Sequence, residues 1–341
     1  MQSEQLLTGE VTLSPSSLQI CMVHKMASRL YPKYKIILIA CIPILFLIPS
    51  FTSAYFISFM ILMLMYVTMA ESWNMLAGYT GYVSLGHSVF FGVGCYAFTL
   101  SIVKLKLNYV LALIISGLIP GILALVIGFI LMSHKIRIAY FAIMTLGLNE
   151  ILKTIVANSE AFGSSYGFTL PPMQSLSVGY YICLMLAISS ILATIGIDRS
   201  KFGIGLKSIL QDEEVADSIG VNTFKYKVLV FILSSIFPGI LGAIIAWRWS
   251  YIDPYLAFDL TLSIDSVIMA TFGGVGTIWG PVVGAIFLSI LMEVLWVRIP
   301  YFHAIIFSIL IIVIVIKVPQ GLLSLGKKLF SRLIGGSGRT Y

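Results

Sequence analysis

Ser84 and His87 stand three positions apart in GYTGYVSLGHSVFFGVG (78–94), a spacing that puts a hydroxyl and an imidazole on one helix face. A serine beside a general base is the nucleophile of acyl transfer, so an intramembrane serine hydrolase is the first chemistry to weigh. That reaction also needs oxyanion donors and an acid to orient the base, and the sequence nearby supplies neither. The stretch Gly321-Leu-Leu-Ser-Leu-Gly326-Lys327 has the glycine spacing of a phosphate loop. Lys328 stands where a hydroxyl should hold Mg²⁺, however, and no hydrophobic strand leads in. There is no H-E-x-x-H, and His24, His87, His134 and His303 are too dispersed for a metal cluster, so no metal site is expected. Cys21, Cys41, Cys95 and Cys183 form no C-x-x-C pair and read as packed free thiols. The chain is expected to carry no catalytic site and no cofactor of its own.

Its remaining polar chemistry lies in three places. In QDEEVADSIG (211–220), Asp212, Glu213, Glu214 and Asp217 concentrate four of the 14 acids of the chain. Glu150, in LGLNEILKT with Lys153 one turn on, and Asp265, in LTLSIDSVIM, interrupt apolar runs, with Glu71 and Glu293 in similar settings. An ionisable group at membrane depth is costly and should face a bundle interior. An internal ion pair with Lys153 is the plainer account of Glu150, and Asp265 could instead brace a broken helix. The third place is glycine. Gly78, Gly81, Gly86, Gly92 and Gly94 crowd seventeen residues, and TFGGVGTIWGP carries Gly273, Gly274, Gly276 and Gly280 before Pro281. Breaks inside a membrane free backbone groups that only protein or a water-filled path can cover, so two such segments point to a translocation path. Close helix packing is the alternative reading of any single glycine.

The elements that must position these residues are helices. With 59% hydrophobic and 10% charged residues and a mean hydropathy of +1.02, the chain has more apolar surface than one water-soluble core could hide. Runs long enough to cross a bilayer lie near 36–53, 55–77, 82–103, 109–132, 138–157, 179–197, 228–247, 262–297 (interrupted) and 302–318. Continuous runs such as IIFSILIIVIVI (305–316) lack the alternation of barrel strands. The expected fold is all-α: a polytopic transmembrane helix bundle of about 8–10 spans or half-spans with interrupted or re-entrant helices.

Orientation follows from basic residues. Lys25, Arg29, Lys33 and Lys35, then Arg199, Lys201, Lys207, Lys225 and Lys227, then Lys317, Lys327, Lys328, Arg332 and Arg339 hold two thirds of the 21 Lys and Arg residues. Placing all three groups on the cytoplasmic side gives six crossings before 198, brings Lys135 and Arg137 inside, and requires the 273–281 break to divide two passes or form a re-entrant hairpin. Arg248 and Arg298 then fall near outer ends, among Trp247, Trp249 and Trp296 of the interfacial belt. A net charge of +7 is explained by this topology and by anionic lipid, with no nucleic acid. Residues 1–30 read as a disordered cytoplasmic tail, with no signal peptide and with Met22 or Met26 as further candidate starts. A transmembrane domain over 31–325 follows, with a cytoplasmic loop at 198–227 and a basic tail at 326–341.

Four motifs, ESWNMLAGYTGYVSLGHSVFFGVGCYAF, YFAIMTLGLNEILK, FGIGLKSILQDEEVADSIGVNTFKYKVLVFILS and YIDPYLAFDLTLSIDSVIMATFGGVGTIWGPVVGA, occur in that order. Together they resemble the membrane permeases of branched-chain amino acid ABC importers, specifically the longer of the two permease types, over about residues 60 to 325. Permeases for urea and short amides share the motifs. In such importers a short cytoplasmic helix, marked Glu-Ala-Ala, three residues, Gly, docks into a groove of the ATPase. Glu214-Val215-Ala216, Asp217-Ser218-Ile219 and Gly220 match at the Glu, the second Ala and the Gly; Val215 replaces the first Ala, and no Pro follows. The residues agree with a docking helix over 206–220: acids favour its start, Val215 and Ile219 share an apolar stripe, and Gly220 ends it.

The resemblance implies Asp212, Glu213, Glu214, Val215, Ala216, Ile219 and Gly220 as the ATPase-coupling residues. Asn74, Ser84, His87, Glu150 and Asp265 are expected to line or brace the path. Gly78, Gly81, Gly86, Gly92, Gly273, Gly274, Gly276, Gly280 and Pro281 are expected to break the helices. It also implies a second homologous permease, two ATPase subunits holding ATP and Mg²⁺, an external substrate-binding protein, and a plasma (inner) membrane location with both termini cytoplasmic. Family members often have Gln or Leu where this chain has Tyr82. A secondary transporter or channel would share the broken helices but would not need the docking helix.

Overall fold

In a computed structural model of the chain, residues 43, 45–133, 138–173, 175–302, 305, 306, 308 and 309 are described. The N-terminal tail to residue 30, Cys21, Cys41, His24, His134, Lys135, Arg137, His303, the Gly321–Lys327 stretch and the basic C-terminal tail lie outside them, as does most of the 302–318 run. Of the two units into which the chain divides, the first ends at Ser53 and is helical over 45–51 among its described residues, and the second begins at Ala54.

The second unit is a helix bundle: α1 (Ala54–Thr80), α2 (His87–Val103), α3 (Tyr109–Met132), α4 (Ile138–Asn158), α5 (Leu176–Arg199), α6 (Lys201–Gln211), α7 (Glu213–Ser218), α8 (Thr223–Trp249), α9 (Pro254–Ala257), α10 (Leu260–Gly273) and α11 (Gly280–Arg298). Strands β1 (Phe168–Thr169) and β2 (Tyr251–Ile252) add a two-residue antiparallel ribbon, Phe168 opposite Ile252. Among the described residues seven segments are long and apolar enough to cross a membrane, and α2 is a shorter apolar helix of 17 residues. The protein is therefore an all-α, multi-pass bundle.

Polar side chains set the helix boundaries. Asn108, Ser175, Ser200, Asn222 and Asp259 each accept a backbone N–H in the first turn of α3, α5, α6, α8 and α10, satisfying donors a helix start leaves open. Helix α8 packs against α1, α2, α3 and α5. The approach to α2 is closest where glycine removes the side chain: a Cβ on Gly94 would lie 2.0 Å from the Gly239 carbonyl oxygen, and one on Gly242 2.2 Å from that of Phe91. Pro120 in α3 and Pro238 in α8 each lack an N–H for the preceding turn. The Ser235 hydroxyl lies 3.3 Å from the Pro120 carbonyl at this crossing.

Two contacts orient the bundle. At one end, near the ribbon, Arg248 donates to Ser58 (3.2 Å) and Tyr109 stacks on Trp247. At the other, the end of α1 meets the acidic loop. The interrupted run 262–297 is an antiparallel pair of legs: α10 ends at Gly273, the tip 274–279 sits beside Asn74 and Gly78 near the acidic-loop end of α1, and α11 returns until Glu293 accepts a hydrogen bond from Tyr55 near the start of α1. Each leg, Pro254–Gly273 and Gly280–Arg298, has the length and apolarity of a pass. The pair thus brings the chain back to the side it left. The run at 82–103 also differs from a plain span, because the helix starts only at His87 and residues 81–86 are irregular.

Candidate functional site

The acidic loop is built from two helices where the sequence suggests one over 206–220. Asp212 is extended (φ −161°, ψ 118°), and its carboxylate accepts the backbone N–H groups of Glu214 (2.9 Å) and Val215 (3.0 Å). An aspartate that caps the next helix cannot also continue the previous one, so α6 ends and α7 begins there. At the far end Gly220 N–H bonds to Asp217 C=O and Val221 N–H to Ala216 C=O, each 3.0 Å, which is the Schellman closure. It needs a left-handed residue, and Gly220 has φ +90°. Along α7 and its C-cap residue Ile219, Ala216 is buried, whereas Glu214, Val215 and Ile219 are exposed, Val215 by 57% and Ile219 by 70%. A short helix, capped at both ends, thus presents two apolar side chains and an acid outward.

Behind that face, Glu213 joins the loop to the bundle. Its carboxylate accepts from Lys227 Nζ (2.5 Å) and from Tyr82 OH (2.8 Å); Lys227, 1% exposed, also lies 4.8 Å above the Tyr82 ring. Burial works against ionising Glu213, but the bonds from Lys227 and Tyr82 outweigh it and hold the carboxyl below the usual glutamate range. Three residues earlier, Tyr79 donates to Asp198 (3.2 Å), which pairs with Lys207 (2.6 Å), and Lys207 stands 5.6 Å over the Tyr79 ring. Neither arrangement is visible in the sequence, because 119 and 131 positions separate each tyrosine from its acid. The available hint was a pair of tyrosines flanking Gly81, which has φ +79°.

At the two breaks the freed backbone is covered by protein. The carbonyl of Ser84 accepts the Trp73 indole N–H (2.9 Å), Leu85 N–H reaches Thr145 Oγ1 (3.1 Å), and Gly86 N–H reaches Ser84 Oγ (3.2 Å). Ser84 Oγ is thus engaged with backbone, while fully buried His87 lies edge-on to Phe90, with neither ring nitrogen in a hydrogen bond of ordinary geometry. The two do not form a nucleophile–base pair. At the second break Asn74 grips the tip: Gly276 N–H donates to its Oδ1 (2.8 Å), and its Nδ2 donates to the Thr277 carbonyl (3.1 Å). Thr277 Oγ1 bonds to Gly274 C=O and accepts Gly280 N–H, and Pro281 follows in the first turn of α11.

The glycines divide by setting. Gly81, Gly274 and Gly276 have positive φ, and Gly86 precedes α2 as its cap. Gly78 lies inside α1, and Gly273 and Gly280 end and begin α10 and α11 where their backbones touch. Gly92 lies within α2, where a Cβ would meet the Phe258 ring at 2.6 Å, so it serves close packing in an unbroken helix.

A buried knot connects the elements around the first break. Ser88 Oγ donates to Asn149 Oδ1 (3.0 Å), Ser263 Oγ donates to Ser88 Oγ (2.9 Å), and Asn149 Nδ2 donates to the Phe258 carbonyl (2.9 Å). Asp265 is half-buried at 3.4 Å from Tyr66 OH. Glu71 is fully buried, with one oxygen accepting from Thr194 (2.8 Å) and the other without a hydrogen bond. Glu150 stands apart from these groups, exposed on α4 and paired with Lys153 (2.6 Å). Cys95 and Cys183 are buried free thiols, and no group of three or more His, Cys, Asp or Glu among the described residues could hold a metal.

Residues 55–315 match the family model described as branched-chain amino acid transport system / permease component. The chain is 22% identical over 323 residues, 85% of it and 75% of the relative, to the high-affinity branched-chain amino acid transport system permease protein LivM of Escherichia coli strain K12. It is 25% identical over 171 residues, about half of each chain, to the permease protein LivH of Salmonella typhimurium. It is also 26% identical over 185 residues, 52% of this chain and 54% of the relative, to the galactose/methyl galactoside import permease protein MglC of Haemophilus influenzae. No solved structure matches.

Proposed function

Because this chain belongs to the branched-chain amino acid transport permease family, and within it resembles the longer, LivM-type subunit, we propose that it is the membrane half of an ATP-driven importer for branched-chain amino acids or a related small solute. The relatives are transport permeases and not enzymes. One observation carries the coupling part of the reading: α7 holds Val215 and Ile219 out of the bundle beside Glu214, with both helix ends already satisfied. An apolar pair rimmed by acids on a rigid short helix suits a groove on a soluble partner. One of two ATPase subunits, which bind ATP and Mg²⁺ themselves, would seat there on Glu214, Val215 and Ile219, while Asp212 and Gly220 cap the helix and Glu213 and buried Ala216 hold it to the bundle.

Solute would reach the outer mouth from an external binding protein and pass along the two broken segments, where Asn74, Ser84, His87 and Asp265 brace or line the way. A second homologous permease completes the assembly in the inner membrane, with both termini cytoplasmic. The Glu150–Lys153 pair favours a protein neighbour on that side of α4, since ions facing hydrocarbon are costly. The test is co-expression with the candidate ATPases, second permease and binding protein, followed by reconstitution. ATP-dependent uptake of labelled leucine, isoleucine or valine, with urea as the comparison solute, is expected. Solute accumulation by this chain purified alone would overturn the reading.

A further inference from the structure

We infer that Tyr79 and Tyr82 are positioning residues through which movement of the acidic loop reaches both membrane breaks; this rests on the importer reading above. Each tyrosine sits in the same kind of clamp. Its hydroxyl donates to a carboxylate, that carboxylate pairs with a lysine, and the lysine lies over the ring of the same tyrosine. The acids and lysines come from all four elements of the loop region. Asp198 ends α5, Lys207 is on α6, Glu213 opens α7, and Lys227 is in the second turn of α8. Between the clamps, Leu210 of α6 lies against Gly81, 3.1 Å from where a Cβ would stand. Residues 79–82 are thereby held to the loop at three points.

The same short stretch touches both breaks. Downstream of Tyr82 the chain runs directly into irregular residues 83–86 and the start of α2. Upstream, within two turns of Tyr79 on a continuous helix, Asn74 grips Gly276 and Thr277, and a Cβ on Gly276 would lie 3.0 Å from the Gly78 carbonyl. A helix transmits displacement along its axis because its hydrogen bonds run along that axis. A pull on α7 at Glu213 therefore acts on Tyr82, and a rotation of the α5–α6 corner acts on Tyr79. Both displacements arrive at 274–279 through the last turns of α1. A hydroxyl bonded to a lysine-paired carboxylate is a directional link, and two of them, three residues apart, resist both translation and rotation of the turn.

The experiment uses the reconstituted complex with its ATPases, second permease and binding protein. It compares wild type with the double variant Tyr79→Phe/Tyr82→Phe, which keeps both rings and removes only the hydroxyls. Three quantities are read: ATPase subunits retained per permease, ATP hydrolysed, and solute taken up per ATP. The expected result is unchanged ATPase retention with uptake per ATP lowered at least about fivefold, the lower range of an energetic coupling between sites. An uptake-to-ATP ratio equal to wild type overturns the inference. If the double variant fails to accumulate in the membrane, the single variants are read by the same ratio, with the same two outcomes. A wild-type complex that shows no ATP-driven uptake defeats the importer reading itself, and is thereby separated from failure of the tyrosine variants.

Discussion

Asn74 and Gly276 stand 202 positions apart and are joined by a 2.8 Å hydrogen bond from the glycine N–H to the asparagine side chain, whose own amide donates to the next residue, Thr277. The tip between α10 and α11 therefore has its backbone satisfied by a side chain of α1. Replacing Asn74 by Ala leaves the Gly276 N–H and the Thr277 carbonyl without these partners and should lower stability by about 1–3 kcal/mol. Thermal unfolding in detergent would check this. Gly147→Ala supplies the control, because a Cβ there meets nothing within 4 Å and should be neutral or slightly stabilising.

Close approach of α2 and α8 sets a harsher test. Gly94→Ala would drive a methyl group to 2.0 Å from the Gly239 carbonyl oxygen, a contact that only a shift of one helix could relieve. A destabilisation of at least about 1–3 kcal/mol is expected, the usual cost of overpacking. Membrane abundance and the unfolding midpoint should both fall, and an unchanged midpoint would contradict the packing described.

Glu213 makes the acid side of the stability profile specific. Its folded value is depressed, so the stability from its pair with Lys227 is fully present above the unfolded glutamate value and disappears as pH falls through the lower, folded one. With Lys227→Met the depression should be lost. Glu213 then no longer contributes an acid-side loss of stability, so the variant should be less stable than wild type above the unfolded glutamate value and should approach it as pH falls. Unfolding midpoints measured from neutral pH down past the ordinary glutamate range would show the two profiles furthest apart at neutral pH and converging on the acid side.

On α7 the outward side chains can be changed without touching the bundle. Val215→Ser and Ile219→Ser remove exposed apolar groups and should alter stability by no more than about 0.5 kcal/mol. Glu214→Lys reverses an exposed charge on the same helix. Under the importer reading, each should weaken retention of the ATPase subunits by the detergent-solubilised complex. Full retention by all three would count against docking through this face.

Ser84→Ala separates transport from hydrolysis. The serine hydroxyl accepts Gly86 N–H and is not bonded to His87, so the variant should keep ATP-driven uptake while losing a little stability at the first break. An abolished cleavage activity with no transport defect to accompany it would revive the hydrolase chemistry.

The sequence by itself determined the solvent, the helical class and the spans near 55–77, 109–132, 138–157, 179–197 and 228–247, because crossing a bilayer demands continuous apolar length and this chain spells that length out locally. Local chemistry also carries the end of α7, where Gly220 can adopt a positive φ, whereas its start at Asp212 falls inside the single helix over 206–220 that the sequence suggests. What the glycines do was not local. Gly92 lies in an unbroken helix at a point where Phe258 leaves no room for a side chain, and Gly276 turns the chain where Asn74 receives it. The two tyrosine clamps, the Ser88–Asn149–Ser263 knot and the exposed position of Glu150 were likewise decided only by tertiary structure. A hydrogen bond has a reach of about 3 Å and no memory of chain distance. Partners separated by more than a hundred residues meet only after the helices have packed, and the packing is set by shapes that no single stretch of sequence contains.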